Sequence, residues 1–221
     1  AFSLVFDDDP LRQASAAESW FAGAAQAPSP PARRELRVVR GLVNPRSIPV
    51  RKWLIHPRLP IGDVTQCVGE PGISKSTFAI RDAIIVASGR ESVLRGEGAD
   101  KSPLSPERLH ADGPVIIYNA EDRTDEMERR FAAAGHHYGL ADGDMKHPII
   151  LWSGVDQGPL KIVERRRGDR GGLTRAPDAD RLEQTIKEHG AVLVILDPQI
   201  ALVAGGQEND NDDADALMQE L

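Results

Sequence analysis

A chain of 221 residues, 40% of them hydrophobic, can bury one good α/β core, and its formal charge of −7 at pH 7 excludes a surface that coats nucleic acid indiscriminately. Any nucleic-acid contact must be local. The one cysteine, Cys67, excludes an internal disulfide framework and a cysteine-built zinc site, so the expected compartment is a reducing cytoplasm and Cys67 is expected to be a small core filler.

The opening AFSLVF runs straight into Asp7, Asp8 and Asp9, unlike a signal peptide, and no apolar run approaches the roughly 20 residues of a membrane span, so no membrane partner is expected. Residues 1–46 show no sustained periodicity, and AGAAQAPSPPAR, ending at Arg33, mixes alanine with Pro28, Pro30 and Pro31 in the manner of a linker. The reading is an N-terminal arm over 1–46 and a core over 47–221. Residues 63–68, DVTQCV, have the β-branched content of a strand. VGEPGISKST follows at once. From Lys75, apolar residues recur at mostly helical spacings through Phe78, Ile80, Ile84, Ile85 and Val86, and Gly89 is the stop.

Residues 90–113 read as a long surface connection, and 115–120, VIIYNA, as a buried strand delivering Glu121 and Asp122. A helix is expected over 124–134, a short strand over 149–152, and an exposed loop over 164–172, where arginines and glycines crowd together. The helix expected over 178–189 starts with acidic residues suited to its dipole and stops at Gly190. AVLVIL, 191–196, is then a fully buried strand with Asp197 at its end. Leu221 falls within a helical pattern, so the core is expected to be cut short at this end.

Alternating strands and helices, with strands that are continuous apolar runs, imply an α/β fold: a mostly parallel sheet with helices on both faces. Ligands of such sheets sit at the carboxyl ends of the strands, where Gly69, Glu121 and Asp197 all fall.

A phosphate-binding loop must turn several backbone N–H groups inward, feed phosphate toward a helix N-terminus and supply one lysine. Gly69, Glu70, Pro71, Gly72, Ile73, Ser74, Lys75, Ser76 and Thr77 match G-x-x-x-x-G-K-[ST] with one departure, a serine in place of the second glycine. Lys75 would reach the β- and γ-phosphates, Ser76 would ligate Mg²⁺ and Thr77 would bond an α-phosphate. Glycine at that position lets backbone and phosphate approach closely and tolerates unusual dihedrals, so the Cβ of Ser74 is expected to clash or to cost about 1 kcal/mol or more, and to act as a brake. VLVILD has the pattern of a Walker B strand whose Asp197 holds Mg²⁺ through water. Glu121 stands where a general base could take the proton of the attacking water.

These blocks, with IPVRKWL ahead of the first strand, IIYNAEDRTDEMERRF and VLVILDPQIALVAGGQENDND, resemble the RecA-like P-loop ATPases, and among them the RepA-like hexameric helicase group, over about residues 48–221. The resemblance implies a RecA-like P-loop NTPase core, ATP with Mg²⁺ as cofactors, a ring of identical subunits and single-stranded DNA as partner. By that likeness Lys75 and Ser76 are the phosphate and Mg²⁺ residues, Glu121 the catalytic base and Asp197 the Walker B acid. The sensor and arginine-finger residues of such a family would lie beyond Leu221.

Two rival functions fit parts of the pattern. One is a nucleotide-responsive assembly or regulatory module with little turnover, which Ser74 favours; the other is a small-molecule phosphotransferase, for which no acceptor lid is recognisable. Among weaker signals, Arg165, Arg166, Arg167, Arg170 and Arg175 form a basic cluster that reads as a solvated loop or a DNA-phosphate contact. Residues 208–213 read as an acidic loop, and Trp53 as core or as a cover for a nucleotide base.

Overall fold

The computed structural model describes residues 2–5, 41–70, 72–95, 107–165, 173–204 and 217–221. Residues 1–6 and 52–221 make one compact unit and residues 7–51 another. In the smaller unit the described residues are 41–51, and they hold a 3₁₀ turn, Pro45–Ser47, whose N-cap Asn44 accepts a bond from Arg46 N at 3.0 Å. Among the described residues no helix is long and apolar enough to cross a membrane.

The strands of the larger unit are β1 (Phe2–Val5), β2 (Trp53–His56), β3 (Leu59–Pro60), β4 (Val64–Gln66), β5 (Arg108–Leu109), β6 (Val115–Asn119), β7 (Ile149–Ser153), β8 (Val163–Arg165), β9 (Leu173–Arg175), β10 (Leu193–Asp197) and β11 (Val203–Ala204). Its helices are α1 (Lys75–Ser88), α2 (Ser92–Arg95), α3 (Thr124–His137) and α4 (Pro177–His189). The principal sheet has the order β4-β1-β10-β6-β7. β10, β6 and β7 are parallel neighbours, while β1 runs antiparallel to both β4 and β10. Four strands of the five therefore share one direction, and the sheet is mostly parallel as its apolar strands require.

The stretch expected to be an arm thus begins with a strand: Phe2–Val5 lies between the strand that leads into the glycine loop and the strand that ends at Asp197, pairing Phe2 with Gln66 on one side and Leu196 on the other. Two further three-stranded sheets are β3-β2-β5 and β11-β8-β9. The second of these corrects the loop expected from 164, since Glu164 and Arg165 belong to β8 and pair with Thr174 and Leu173 of β9. Only residues 166–172 of that loop lie outside the described residues.

Period-2 alternation decides which helix covers which face. Val115, Ile117, Leu193 and Ile195 pack with α1 and with Met127 of α3, whereas Ile116, Tyr118, Val194 and Leu196 pack with Ala179 and Leu182 of α4 and with Leu160 and Ile162. Each isoleucine or leucine so buried contributes about 1.5–3 kcal/mol relative to exposure. From Asp82 to Ser88 every residue of α1 is buried, so this helix is enclosed on all sides and anchors the loop that precedes it. Its stop is as the sequence places it: Gly89 sits at φ 66° and donates its N–H to Ile85 O.

One charged group is enclosed with the helix. Asp82, 3% exposed, takes both terminal nitrogens of Arg58, which also reaches Glu107 at 2.5 Å; Arg81 meets Glu107 at 2.8 Å. Burial pushes the Asp82 carboxyl up against the pull of Arg58, while for Glu107 the two arginines outweigh desolvation and hold the carboxyl below its ordinary value. Removing Arg58 leaves a buried carboxylate without the guanidinium that hydrogen-bonds it, with only the more distant charge of Arg81 acting on it. Arg58→Ala should therefore lower unfolding free energy by about 3 kcal/mol, the lower end of the range for breaking buried pairs because Arg58 is itself one-fifth exposed. Urea midpoints of the two proteins give the value; a loss under about 0.5 kcal/mol would place the pair among the dispensable surface bridges. Cys67, expected in the core, is only half-buried, because it lies past the end of β4 where the chain leaves the sheet.

Candidate nucleotide site

Parallel pairing sets the site's geometry. Register places Asp197 beside Asn119 and Asn119 beside Ser153, so three polar residues stand in a row along the carboxyl ends of β10, β6 and β7. Ala120 N donates to Asp197 O at 2.9 Å and Gly154 N to Asn119 O at 2.8 Å, which continues the ladder one residue past the strands. The glycine loop leaves β4 at the same end and enters α1.

Within the loop, Lys75 folds back and its Nζ donates to Gly69 O at 2.7 Å and Glu70 O at 2.9 Å. Ser76 Oγ donates to Asp197 Oδ2 at 2.7 Å. That bond joins the two residues named from sequence as Mg²⁺ ligands, 121 positions apart in the chain. Gln66 Nε2, at the end of β4, donates to Gln199 Oε1 at 2.9 Å and ties the loop strand to the segment after Asp197 across the intervening β1. Gly69, Glu70, Gly72, Ile73, Ser74 and Thr77 are exposed, leaving the loop open to a ligand; Pro71 lies outside the described residues.

Ser74 takes the conformation that its position in the pattern demands. At φ 67° and ψ 30° it is left-handed, the one non-glycine residue with positive φ among those described, and its side chain makes no capping bond. Its carbonyl accepts Phe78 N at 3.0 Å, opening the helix. A serine held there carries a penalty of about 1 kcal/mol that glycine does not. Ser74→Gly is expected to gain about that much stability and to bind ATP·Mg²⁺ more tightly, as read by denaturant midpoint and by titration of both proteins. Equal affinity would confine the penalty to folding, and equal stability would show that neighbouring contacts already absorb it.

The carboxylates after β6 divide. Asn119 Oδ1 accepts the N–H of Glu121 at 2.8 Å and of Asp122 at 2.7 Å, a tight turn that fixes both backbones. The Glu121 side chain is exposed. Asp122 instead faces a small cleft between α1 and α3, lined by Ser76, Asn119, Asp122, Arg130 and Asp197 over an apolar floor that includes Ile117 and Ile195. Asp122 pairs with Arg130 at 2.5 Å, and its carbonyl accepts Ser153 Oγ at 2.8 Å. Asn119 and Arg130 were not singled out from sequence. The polar end of VIIYN was the available signal for Asn119, and the eight-residue step from Asp122 to Arg130, about two helical turns, that for Arg130.

Past the sheet, the loop after β7 grips the start of α3: Asp156 Oδ2 accepts Thr124 N at 2.8 Å, Gln157 Oε1 accepts Ser153 N at 2.7 Å, and Gln157 Nε2 donates to Thr124 Oγ1 at 3.4 Å. The bond from Thr124 holds the Asp156 carboxyl below its ordinary value.

The weaker signals resolve in part. Arg175 ends β9 and pairs with Asp180 at 2.9 Å, Glu183 at 3.0 Å and Glu220 at 3.3 Å, so the protein's own acids already meet its charge. Arg165 ends β8, while Arg166, Arg167, Arg170 and the acidic stretch 208–213 lie outside the described residues. Trp53 is half-buried in β2, edge-on to His56 at 5.0 Å.

The loop, its lysine and the serine–aspartate contact are the parts of a P-loop nucleotide site, held at the strand ends of an α/β sheet. No curated protein and no solved structure matches the chain. A family model does: the AAA domain, over residues 27–221, a span that contains the whole loop and Asp197 and leaves out β1. The chain belongs to the AAA-domain family of P-loop nucleotide-binding ATPases.

Proposed function

We propose that this chain hydrolyses ATP with Mg²⁺ as the RecA-like core of an oligomeric, DNA-associated, helicase-like ATPase. The observation that carries the reading is the 2.7 Å contact of Ser76 with Asp197, beside a lysine already turned into the loop. A hydroxyl and a carboxylate oxygen at the mouth of a phosphate loop are the hard donors Mg²⁺ prefers, so these residues fit the ion and would hold it. When bound, Mg²⁺ neutralises charge on the β- and γ-phosphate oxygens.

The chain's own residues do the rest. Lys75 exchanges two carbonyls for phosphate oxygens, a stronger charge-assisted bond, and holds the γ-phosphate in line. Glu121 takes a proton from the water as its oxygen bonds to the γ-phosphorus. The bond from that phosphorus to the bridging oxygen breaks, and ADP and phosphate leave.

Release of phosphate by the purified chain, with and without single-stranded DNA, together with its mass in solution with ATP, tests the reading. Turnover that DNA stimulates in an assembly of several copies supports it; turnover by a monomer indifferent to DNA would remove the motor and leave an ATPase. Binding without turnover favours the second reading, a nucleotide-responsive module, which draws on the left-handed Ser74 and on the exposure of Glu121.

A further inference from the structure

We infer that Asn119 is a catalytic residue, its side-chain Nδ2 donating to the water that attacks the γ-phosphate, a role that rests on the nucleotide reading above and adds a residue to that site. Asn119 is 9% exposed and lines the same cleft as Ser76 and Asp197. Its amide cannot be turned round. Oδ1 accepts the N–H of Glu121 at 2.8 Å and that of Asp122 at 2.7 Å, so the oxygen points into the turn and Nδ2, with two hydrogens to donate, takes the other direction. Period-2 alternation puts this side chain on the face of Ile117, which floors the cleft. Among the described residues no group of the protein accepts from Nδ2.

The place of Asn119 along the sheet gives that donor its use. In the order β4-β1-β10-β6-β7 the loop strand lies on one side of Asp197, and Asn119 lies on the other, level with Asp197 by register. A γ-phosphate held by Lys75 and by the ion at Ser76 and Asp197 turns its open side toward β6, because the bond that breaks leads back to the loop. Water approaches from there. One lone pair of the water accepts from Nδ2, leaving the other to face phosphorus. Nδ2 keeps its hydrogens throughout: the water's proton goes to Glu121 as its oxygen bonds to the γ-phosphorus, and the electron pair of the bridging bond leaves with ADP. A single amide thus holds the water with its nitrogen and the backbone of the base with its oxygen.

Asn119→Ser and Asn119→Leu separate the two ends of the amide. A serine hydroxyl still accepts the N–H groups of the turn but is too short to reach the water, whereas leucine does neither. Calorimetry on each protein gives the affinity of ADP·Mg²⁺ alone and with aluminium fluoride, which mimics the phosphoryl group in flight with its water in line, and phosphate release gives kcat and KM. Asn119→Ser should bind ADP within about twofold of the wild type, which also shows that it is folded, and should lose about tenfold in kcat and in the gain from aluminium fluoride, with KM unchanged. Asn119→Thr, whose branched side chain suits a strand, repeats the test if serine loosens the turn. If the hydroxyl variants keep the aluminium fluoride gain and only leucine loses it, Asn119 merely builds the turn and the inference is overturned. A loss of ADP affinity in the same proportion also overturns it, since the residue would then serve binding and not the water. A wild type that binds ADP and gains nothing from aluminium fluoride overturns it while the loop stands; a wild type that binds no nucleotide overturns the loop reading as well.

Discussion

Lys75→Ala should lower affinity for ATP·Mg²⁺ roughly 100-fold or more and abolish measurable turnover, while costing the fold only about 1 kcal/mol. The two figures come from different partners of the same ammonium group. In the structure Nζ donates to the carbonyls of Gly69 and Glu70, both exposed, and a bond to an exposed carbonyl exchanges readily with water. Against phosphate, the lysine faces charged oxygens in the shelter of the loop, where each charge-assisted bond is worth about 1.5–3 kcal/mol. Calorimetric titration and thermal melting of the variant separate the two. A large drop in melting temperature with a proportionate loss of binding would mean that Lys75 builds the loop and does not read the ligand; unchanged affinity would remove the loop from the site.

How far this site could be read in the sequence depended on how much each piece owes to its own neighbours. VIIYN and VLVILD are apolar throughout because helices cover both faces of their strands, so the strands and the polar residues that end them could be found in the letters alone. The loop's demands are likewise local: the pattern calls for glycine before Lys75, and Ser74 adopts the left-handed backbone that glycine takes easily. Arg130 escaped because TDEMERR reads as a solvated helix face with charges at i, i+4, which it also is; only the register of β6 against β10 brings that helix to Ser76 and Asp197. β1 is harder still. FSLV is four residues long, its partners stand about 60 and 190 positions away, and strand propensity says little without knowing what lies alongside. The same brevity hid β8 and β9, three residues each, among the arginines and glycines that suggested a loop. Its consequence for the basic cluster is concrete, since Arg175 is committed to Asp180, Glu183 and Glu220 by a hairpin and a helix that the charge pattern alone does not join.

Glu121→Gln should bind ATP·Mg²⁺ within about twofold of the wild type and lose roughly 10²–10⁴-fold in hydrolysis, because the amide fills the same space and cannot take a proton. Two adjacent carboxylates compete for the part, and their surroundings separate them. Asp122 has its carboxylate engaged by Arg130 and its backbone held by Asn119 and Ser153, so its short side chain is already committed. Glu121 has the same fixed backbone, through Asn119 Oδ1, but a longer side chain exposed at the strand end and able to turn toward a water beside the γ-phosphate. The phosphate-release rate at saturating ATP, compared among wild type, Glu121→Gln and Asp122→Asn, decides between them. Slow turnover in the first variant and retained turnover in the second assigns the base to Glu121 and leaves Asp122 as the holder of Arg130. The reverse pattern would move proton transfer to Asp122, and the exposed glutamate would then be a surface residue that happens to follow the right strand.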